Sequence, residues 1–301
     1  MNVLSRRSTL HKQFSPFFLA LAVIAALTVS ACNPSGTPTT KQSVYDRVIA
    51  SETIRASYAN YPPYAIKDPN TGKLSGIFVD VLEEVGKRLG LKVSWVEEVG
   101  YGTIFEGLNS DREDIFGAGV WRNSTRGKVG DFSEPLFYNV INAYGRVDES
   151  RFANLDAVNN ANVKISTQDG AIDDIIAKSD YPNAQRVSVS QLNPWSDVLL
   201  NIVSKKADLT FAEPAAINLY LDKNPGTLKN LAPDHPLRVF ANAYAFKLGE
   251  PAFKSMINSA LEEIANDGTL ERILRKYEKH PGEFYRLAPL YVTPGINEAT
   301  R

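Results

Sequence analysis

Few residues in this chain are of a type and spacing that do chemistry. The three histidines, His11, His235 and His280, are scattered and no HExxH is present, so no metal site is legible and no cofactor is called for. A phosphate-binding GxxxxGK[ST] loop is also missing, and nothing here would hydrolyse ATP. Arginines, carboxylates and aromatic rings are then the groups left to bind a solute, and residue type alone does not say which of them do. Arg126 lies shortly before Asp131-Phe132-Ser133, and its planar fork matches a carboxylate with two parallel hydrogen bonds. On residue type alone, a solvated arginine at a helix start is the commoner reading. Glu213 stands where a strand ends and a helix begins, just before Pro214, where an acid favours the helix macrodipole. Burial there would also raise its pKa. Tyr58, Tyr61, Tyr101 and Trp121 each offer an apolar face with a polar tip.

The elements that position these residues begin after an address. Residues 1–13 are polar with basic Arg6, Arg7 and Lys12, and an apolar run follows from Phe17 to Leu27. That pattern reads as a signal peptide over 1–31, too short for a comfortable membrane span. Val29-Ser30-Ala31-Cys32 resembles a bacterial lipobox, in which the cysteine is acylated and becomes the first residue. Cys32 is the single cysteine, so it forms no internal disulfide. Residues 32–44 then read as a lipid-anchored flexible linker, rich in Pro, Gly and Thr. The whole chain carries a net charge of −1, and the part after residue 31 holds 30 basic against 34 acidic groups. A mildly acidic protein has no bulk attraction to nucleic acid.

From Thr53 the pattern alternates strand and helix. Ile54 to Tyr58 alternates as a short strand. Val81, Leu82, Val85 and Leu89 fall at helical spacing, with Gly90 as a C-terminal cap. A strand over 92–96, a short helix near Ile104 to Leu108 and the apolar Ile115-Phe116 follow. A second unit starts near Val163 and runs through helices near 171–177 and 198–203, a strand at 208–211 and a helix at 215–221. Two helices, about 251–265 and 269–277, close the pattern. Such alternation implies a mainly parallel sheet with helices on its faces. Tyr138 to Val147 and Arg238 to Lys247 read as long extended segments bracketing the second unit. As paired crossovers they would assemble one lobe from both ends of the chain and another from its middle, with a ligand crevice between. The implied division is lobe 1 over 45–142 plus 241–285, lobe 2 over 143–240, and a tail over 286–301.

Four blocks, in order, carry a resemblance. They are Tyr61-Pro62-Pro63-Tyr64 with Gly72 to Asp80; Gly119 through Arg126 to Asp131-Phe132-Ser133-Glu134-Pro135-Leu136-Phe137-Tyr138; Ala207 to Pro214; and Asn266-Asp267-Gly268-Thr269-Leu270 with Lys276-Tyr277. Together they span about residues 50–280. The chain resembles the family 3 extracellular solute-binding proteins, the polar amino-acid receptors of ABC importers. The resemblance implies an α/β, two-lobed periplasmic-binding-protein fold of type II, joined by two crossover strands.

It also implies roles. Arg126 takes the place of the arginine that grips the ligand's α-carboxylate, and Glu213 that of the acid, usually Asp, that holds the α-ammonium. Tyr61 and Tyr101 stand where aromatics sandwich the ligand, although the turn Val99-Gly100-Tyr101-Gly102 would also suit the surface. Gly119 stands where backbone approaches the ligand closely. Trp121 replaces a usual Thr or Ser, so it either closes over the ligand or packs against a lobe. In Gln168-Asp169-Gly170-Ala171-Ile172 the family's hydroxyls are missing, and Asp169 would repel an anion. Asp80 is expected to satisfy free N–H groups at its helix start, and Asp131 to form a turn.

The function so implied is an extracytoplasmic binding lipoprotein, monomeric and not an enzyme. It would deliver a small polar solute to an ABC permease and touch the membrane through its lipid alone. Two alternatives stay open at this point: an enzyme like the cyclohexadienyl dehydratases that share the fold, or an input module reporting solute to a membrane sensor.

Overall fold

The computed structural model describes residues 42–234 and 236–287. The signal peptide, Cys32 and all but the start of the tail expected at 286–301 lie outside the described residues.

The described chain opens with a helix, and residues 32–41 of the expected linker lie outside the described residues. Ser43 caps α1 (Val44–Ser51) by accepting the Asp46 N–H, and Val44 and Val48 are buried. Strands β1 (Thr53–Tyr58), β2 (Ile66–Lys67) and β3 (Leu74–Ser75) lead into α2 (Ile77–Leu89). The apolar positions of α2 face the core, and Gly90 ends it in the left-handed conformation, as its lack of a Cβ allows. Then come β4 (Lys92–Glu98), α3 (Ile104–Asn109), β5 (Ile115–Trp121), β6 (Asp131–Phe132) and the long β7 (Phe137–Arg146). The middle of the chain contributes β8 (Lys164–Gln168), α4 (Ile172–Asp180), β9 (Gln185–Val189), α5 (Ser196–Val203), β10 (Leu209–Ala212), α6 (Pro214–Leu221) and β11 (Leu228–Asn230). The long β12 (Arg238–Phe246) and helices α7 (Pro251–Asn266) and α8 (Thr269–Tyr277) complete it.

The main sheet runs β4-β1-β5-β12-β7-β10-β8-β9. Strand β1 is parallel to β4 and β5, and β8 is parallel to β9 and β10. Between these two parallel halves run the crossovers, β7 and β12, antiparallel in register from Arg238↔Ile141 to Asn242↔Phe137. The two extended segments therefore pair with each other and carry the chain between the lobes. Each lobe has its own core. Phe78, Leu82, Phe253 and Ile257 fill the first, and Ile165, Ile176, Leu209 and Phe211 the second.

One expectation needs correction. Asp80 does not cap α2; its carboxylate accepts from Lys276 Nζ at 2.7 Å and Tyr277 Oη at 2.9 Å, tying α2 to α8. The Tyr277 hydroxyl in turn accepts the Gly76 N–H at the start of α2. The segment beyond α8 folds back: Tyr285 exchanges backbone hydrogen bonds of 2.8 and 2.9 Å with Tyr138 on β7, and Phe284 packs on Phe137 and Tyr64.

Candidate functional site

A cavity between the lobes is lined by Tyr61, Tyr101, Trp121 and Arg126 from one side and by Gln168, Ala171, Ile172, Asp173, Trp195 and Phe211 from the other. It lies at strand ends beside the crossovers, where an α/β sheet holds its ligands. Four of the six positions expected to bind a ligand meet here: Arg126, Tyr61, Tyr101 and Trp121.

Arg126 opens a short 3-10 turn, Arg126–Lys128, and its own N–H bonds Asn123 Oδ1. The side chain is 6% exposed. Its guanidinium donates to Trp121 O at 3.3 Å and, across the cleft, to Gly170 O at 3.3 Å. Both are neutral carbonyls, and among the described residues no carboxylate lies at ion-pair distance. Burial without a counter-charge lowers its pKa to about 10. A desolvated guanidinium of this kind is poised for an anion from outside.

The aromatic wall is continuous. Tyr61 stacks on Tyr64 at 5.5 Å and meets Tyr101 and Trp195 edge-on at 6.1 and 5.4 Å. Tyr101 sits in the turn after β4 but is drawn inward by Phe116 at 5.8 Å. Trp121 lines the cavity and packs on Phe240 and the second lobe's core. Its indole Nε1 is buried with no hydrogen-bond partner. Tyr58 lines no part of this cavity; its ring meets Trp95 and its hydroxyl lies 3.4 Å from Glu98.

Glu213 lies beside the cavity-lining Tyr61, and Gly119 faces the core of its own lobe. Glu213 precedes α6 and is fully buried, but it does not line the cavity. Burial lifts its carboxyl to about 7, and the nearby Tyr61 and Tyr64 hydroxyls offset only part of that cost. Neither carboxylate oxygen closes a hydrogen bond of normal geometry. Tyr64 is itself held by Asn139 Nδ2 of β7 at 2.9 Å, so this polar group sits over the hinge. Gly119 is needed for the core of its own lobe and does not line the cavity. It has φ +81°, and a Cβ would fall 2.2 Å from the Phe78 ring. Asp169 does not oppose an anion either, because it is exposed and accepts from Ser188 Oγ at 2.6 Å.

Residues the sequence did not single out complete the site. Asp173, in the first turn of α4, is 1% exposed and lines the cavity. Asp173 and Asp174 are adjacent acids in the same first turn. Their fates differ: Asp174 turns outward to Lys178 and Arg186, while Asp173 turns inward. Trp195 gave no signal beyond residue type, whereas Gln168, Ala171 and Ile172 belong to the Gln168–Ile172 segment that the resemblance brought to attention.

The lobes are in contact around this cavity, whose free volume is about 20 Å³, room for little more than one water. Larger guests need the lobes to part. Gly170, with φ +74°, rests on Gly102 of the opposite lobe so closely that a Cβ would fall 2.4 Å from its Cα.

Two α/β lobes on paired crossover strands, with a buried cation and an aromatic wall at their junction, define a hinged solute-binding fold. The chain belongs to the bacterial extracellular solute-binding proteins, family 3, whose family model matches residues 54–280. It is 29% identical over 219 residues to the L-cystine-binding protein TcyA of Bacillus subtilis, covering 72% of this chain and 77% of that one. It is 27% identical over 236 residues to a probable amino-acid ABC transporter-binding protein of Haemophilus influenzae, covering 76% and 86%. The fold is similar to that of an ancestral amino acid-binding protein, AncCDT-1, a precursor of cyclohexadienyl dehydratase. The TM-score is 0.69 at 23% identity, over 79% of this chain and all of that one. Among the described residues no helix is long and apolar enough to cross a membrane.

Proposed function

We propose that this protein captures an amino acid or a close derivative outside the cytoplasm by closing its two lobes, and hands it to the permease of an ABC importer. The observation that carries this reading is Arg126: a buried guanidinium, bonded only to carbonyls, in an interlobe cavity walled by Tyr61, Tyr101, Trp121 and Trp195. A carboxylate would supply the missing counter-charge in bidentate geometry. The relatives' printed names, which concern amino acids and ABC transporters, support the solute class and the partner. In this reading lobe 1 comprises 45–142 plus 241–285 and lobe 2 comprises 143–240. The signal peptide directs export, Cys32 carries the lipid anchor, and the protein works as a monomer that holds its solute without transforming it. Glu213 supports Tyr61 and Tyr64 from behind.

The test is a melting-temperature panel on protein unfolded and refolded to remove carried-over solute. A ligand at 100 times its Kd adds about 2.7 kcal/mol, which for a protein of this size raises Tm by about 5–10 °C. An α-amino acid should give such a shift in the wild type and none in Arg126→Ala. A flat response to every amino acid from folded protein overturns the proposal.

A further inference from the structure

We propose that the captured solute extends past the first cavity into a second one, and that its side chain ends there in a neutral hydrogen-bonding group, such as a carboxamide or a urea. This rests on the amino-acid reading above and names the class of side chain. The second cavity adjoins the first and shares Tyr61, Tyr101 and Gln168 with it. Its free volume is about 80 Å³, against about 20 Å³ for the first. The rest of its polar wall comes from both lobes, Asn60 and Glu98 from one side and Gln191 and Asn193 from the other. A side chain that leads away from Arg126 therefore passes the Tyr61 and Tyr101 rings, which suit methylenes, before it reaches polar groups.

The wall is rich in carboxamides, and they are only partly committed. Gln168 Nε2 donates to Asn193 O at 2.9 Å, which leaves Gln168 Oε1 as an acceptor. Asn60 Oδ1 accepts the Lys67 N–H at 3.1 Å, which leaves Asn60 Nδ2 as a donor. The Gln191 side chain makes no hydrogen bond among the described residues, although it reaches the opposite lobe. It can do so because residues 100 and 102 are glycines: at either position a Cβ would crowd the Gln191 carboxamide. Gln191 thus completes the cavity only when the lobes meet. Glu98 is the one charged lining residue among the described residues, and its charge is already met. Its Oε2 accepts from Lys67 Nζ at 2.8 Å and lies 3.4 Å from the Tyr58 hydroxyl. A carboxylate end would face Glu98, and a cationic end would find its counter-charge taken. A carboxamide both donates and accepts, as its neighbours here do. An aliphatic end would leave those neighbours unpaired on closure, at a cost in affinity.

The purified protein, stripped as above, is titrated calorimetrically with L-alanine, L-norleucine, L-glutamine, L-citrulline, L-glutamate and L-arginine. Glutamine or citrulline should bind at least about 10-fold tighter than norleucine and glutamate, and arginine no tighter than citrulline. The same titrations are run on Gln191→Met, which keeps the length of the side chain and loses its carboxamide. There the preference over norleucine should shrink to within about 3-fold. Gln191→Ala repeats the measurement if the methionine variant fails to fold. Norleucine or alanine bound by wild type within about 3-fold of glutamine and citrulline overturns the inference and leaves the proposed function standing. So does a folded Gln191 variant that keeps the full preference. Arginine bound more than about 10-fold tighter than citrulline, with that margin lost in Glu98→Gln, also overturns it, because the second cavity would then belong to a cation. If no probe binds folded wild type at about 1 mM, the proposed function itself fails, and this inference with it.

Discussion

Arg126 and Glu213 carry opposite charges into the same protein interior, with different consequences. Arg126 keeps its charge at any physiological pH, because even at about 10 its pKa lies far above neutrality. Glu213 does not, since its folded-state pKa stands near 7 against an ordinary 4.5. The sign follows from linkage: the folded chain binds the proton more tightly, so stability falls as pH rises from 4.5 toward 7, and the full cost is present above 7. Glu213→Gln should therefore stabilise the ligand-free protein by about 3 kcal/mol at pH 8 and by less than about 1 kcal/mol at pH 5. Urea unfolding at the two pH values measures this. Equal effects at both would mean that Glu213 ionises normally. The sequence placed Glu213 at a strand–helix junction, where it is found, but could not tell that Tyr61 and Tyr64, distant in the chain, would surround its carboxyl.

At the scale of the element, local pattern was a good guide. The spacing of Val81, Leu82, Val85 and Leu89 with Gly90 behind them makes α2 legible from local pattern. Strand β9 and helix α1 were not legible. Strand β9 has a single buried residue, Val189, and is defined by pairing with β8. Helix α1 is held by Val44 and Val48 against a core the sequence does not reveal. Gly119 illustrates how a motif glycine can be identified for one reason and required for another. On β5 its positive φ and the Phe78 ring both exclude a side chain. Gly119→Ala should cost about 2–5 kcal/mol, from the left-handed backbone and from overpacking. Thermal unfolding would show it, and a change below 0.5 kcal/mol would mean that Phe78 yields freely.

At the scale of the molecule, the lobes come closest where glycines face each other. Gly170 on Gly102, with Gly100 against the Gln191 side chain, lets the backbones meet where Arg126 reaches across to Gly170 O. Gly170→Ala places a methyl in that contact and should hold the lobes apart. Ligand affinity is expected to fall tenfold or more, a loss of about 1.4 kcal/mol. The radius of gyration at ligand saturation, measured by small-angle scattering, should stay at the ligand-free value. A variant that contracts on ligand like the wild type would show that closure does not need this contact. The crossovers matter equally: because β7 pairs with β12, and Tyr285 pairs with Tyr138 on β7, motion between the lobes must be absorbed by a ribbon reinforced from one side.

The sequence by itself determined the alternation of strand and helix, the two long crossovers, the family, and four of the cavity residues. These follow from short-range periodicity and from residue types confined to motifs. Only the tertiary structure decided which acid enters the cavity. Asp173 and Asp174 are neighbours in one helical turn with the same composition and the same local propensity, and the rotation of α4 against β8 and β10 sends one inward and the other to Lys178 and Arg186. The same is true of Glu213 and Gly119, whose side-chain surroundings are set by Tyr61, Tyr64 and Phe78, residues distant in the chain and brought close by the packing of one element on another.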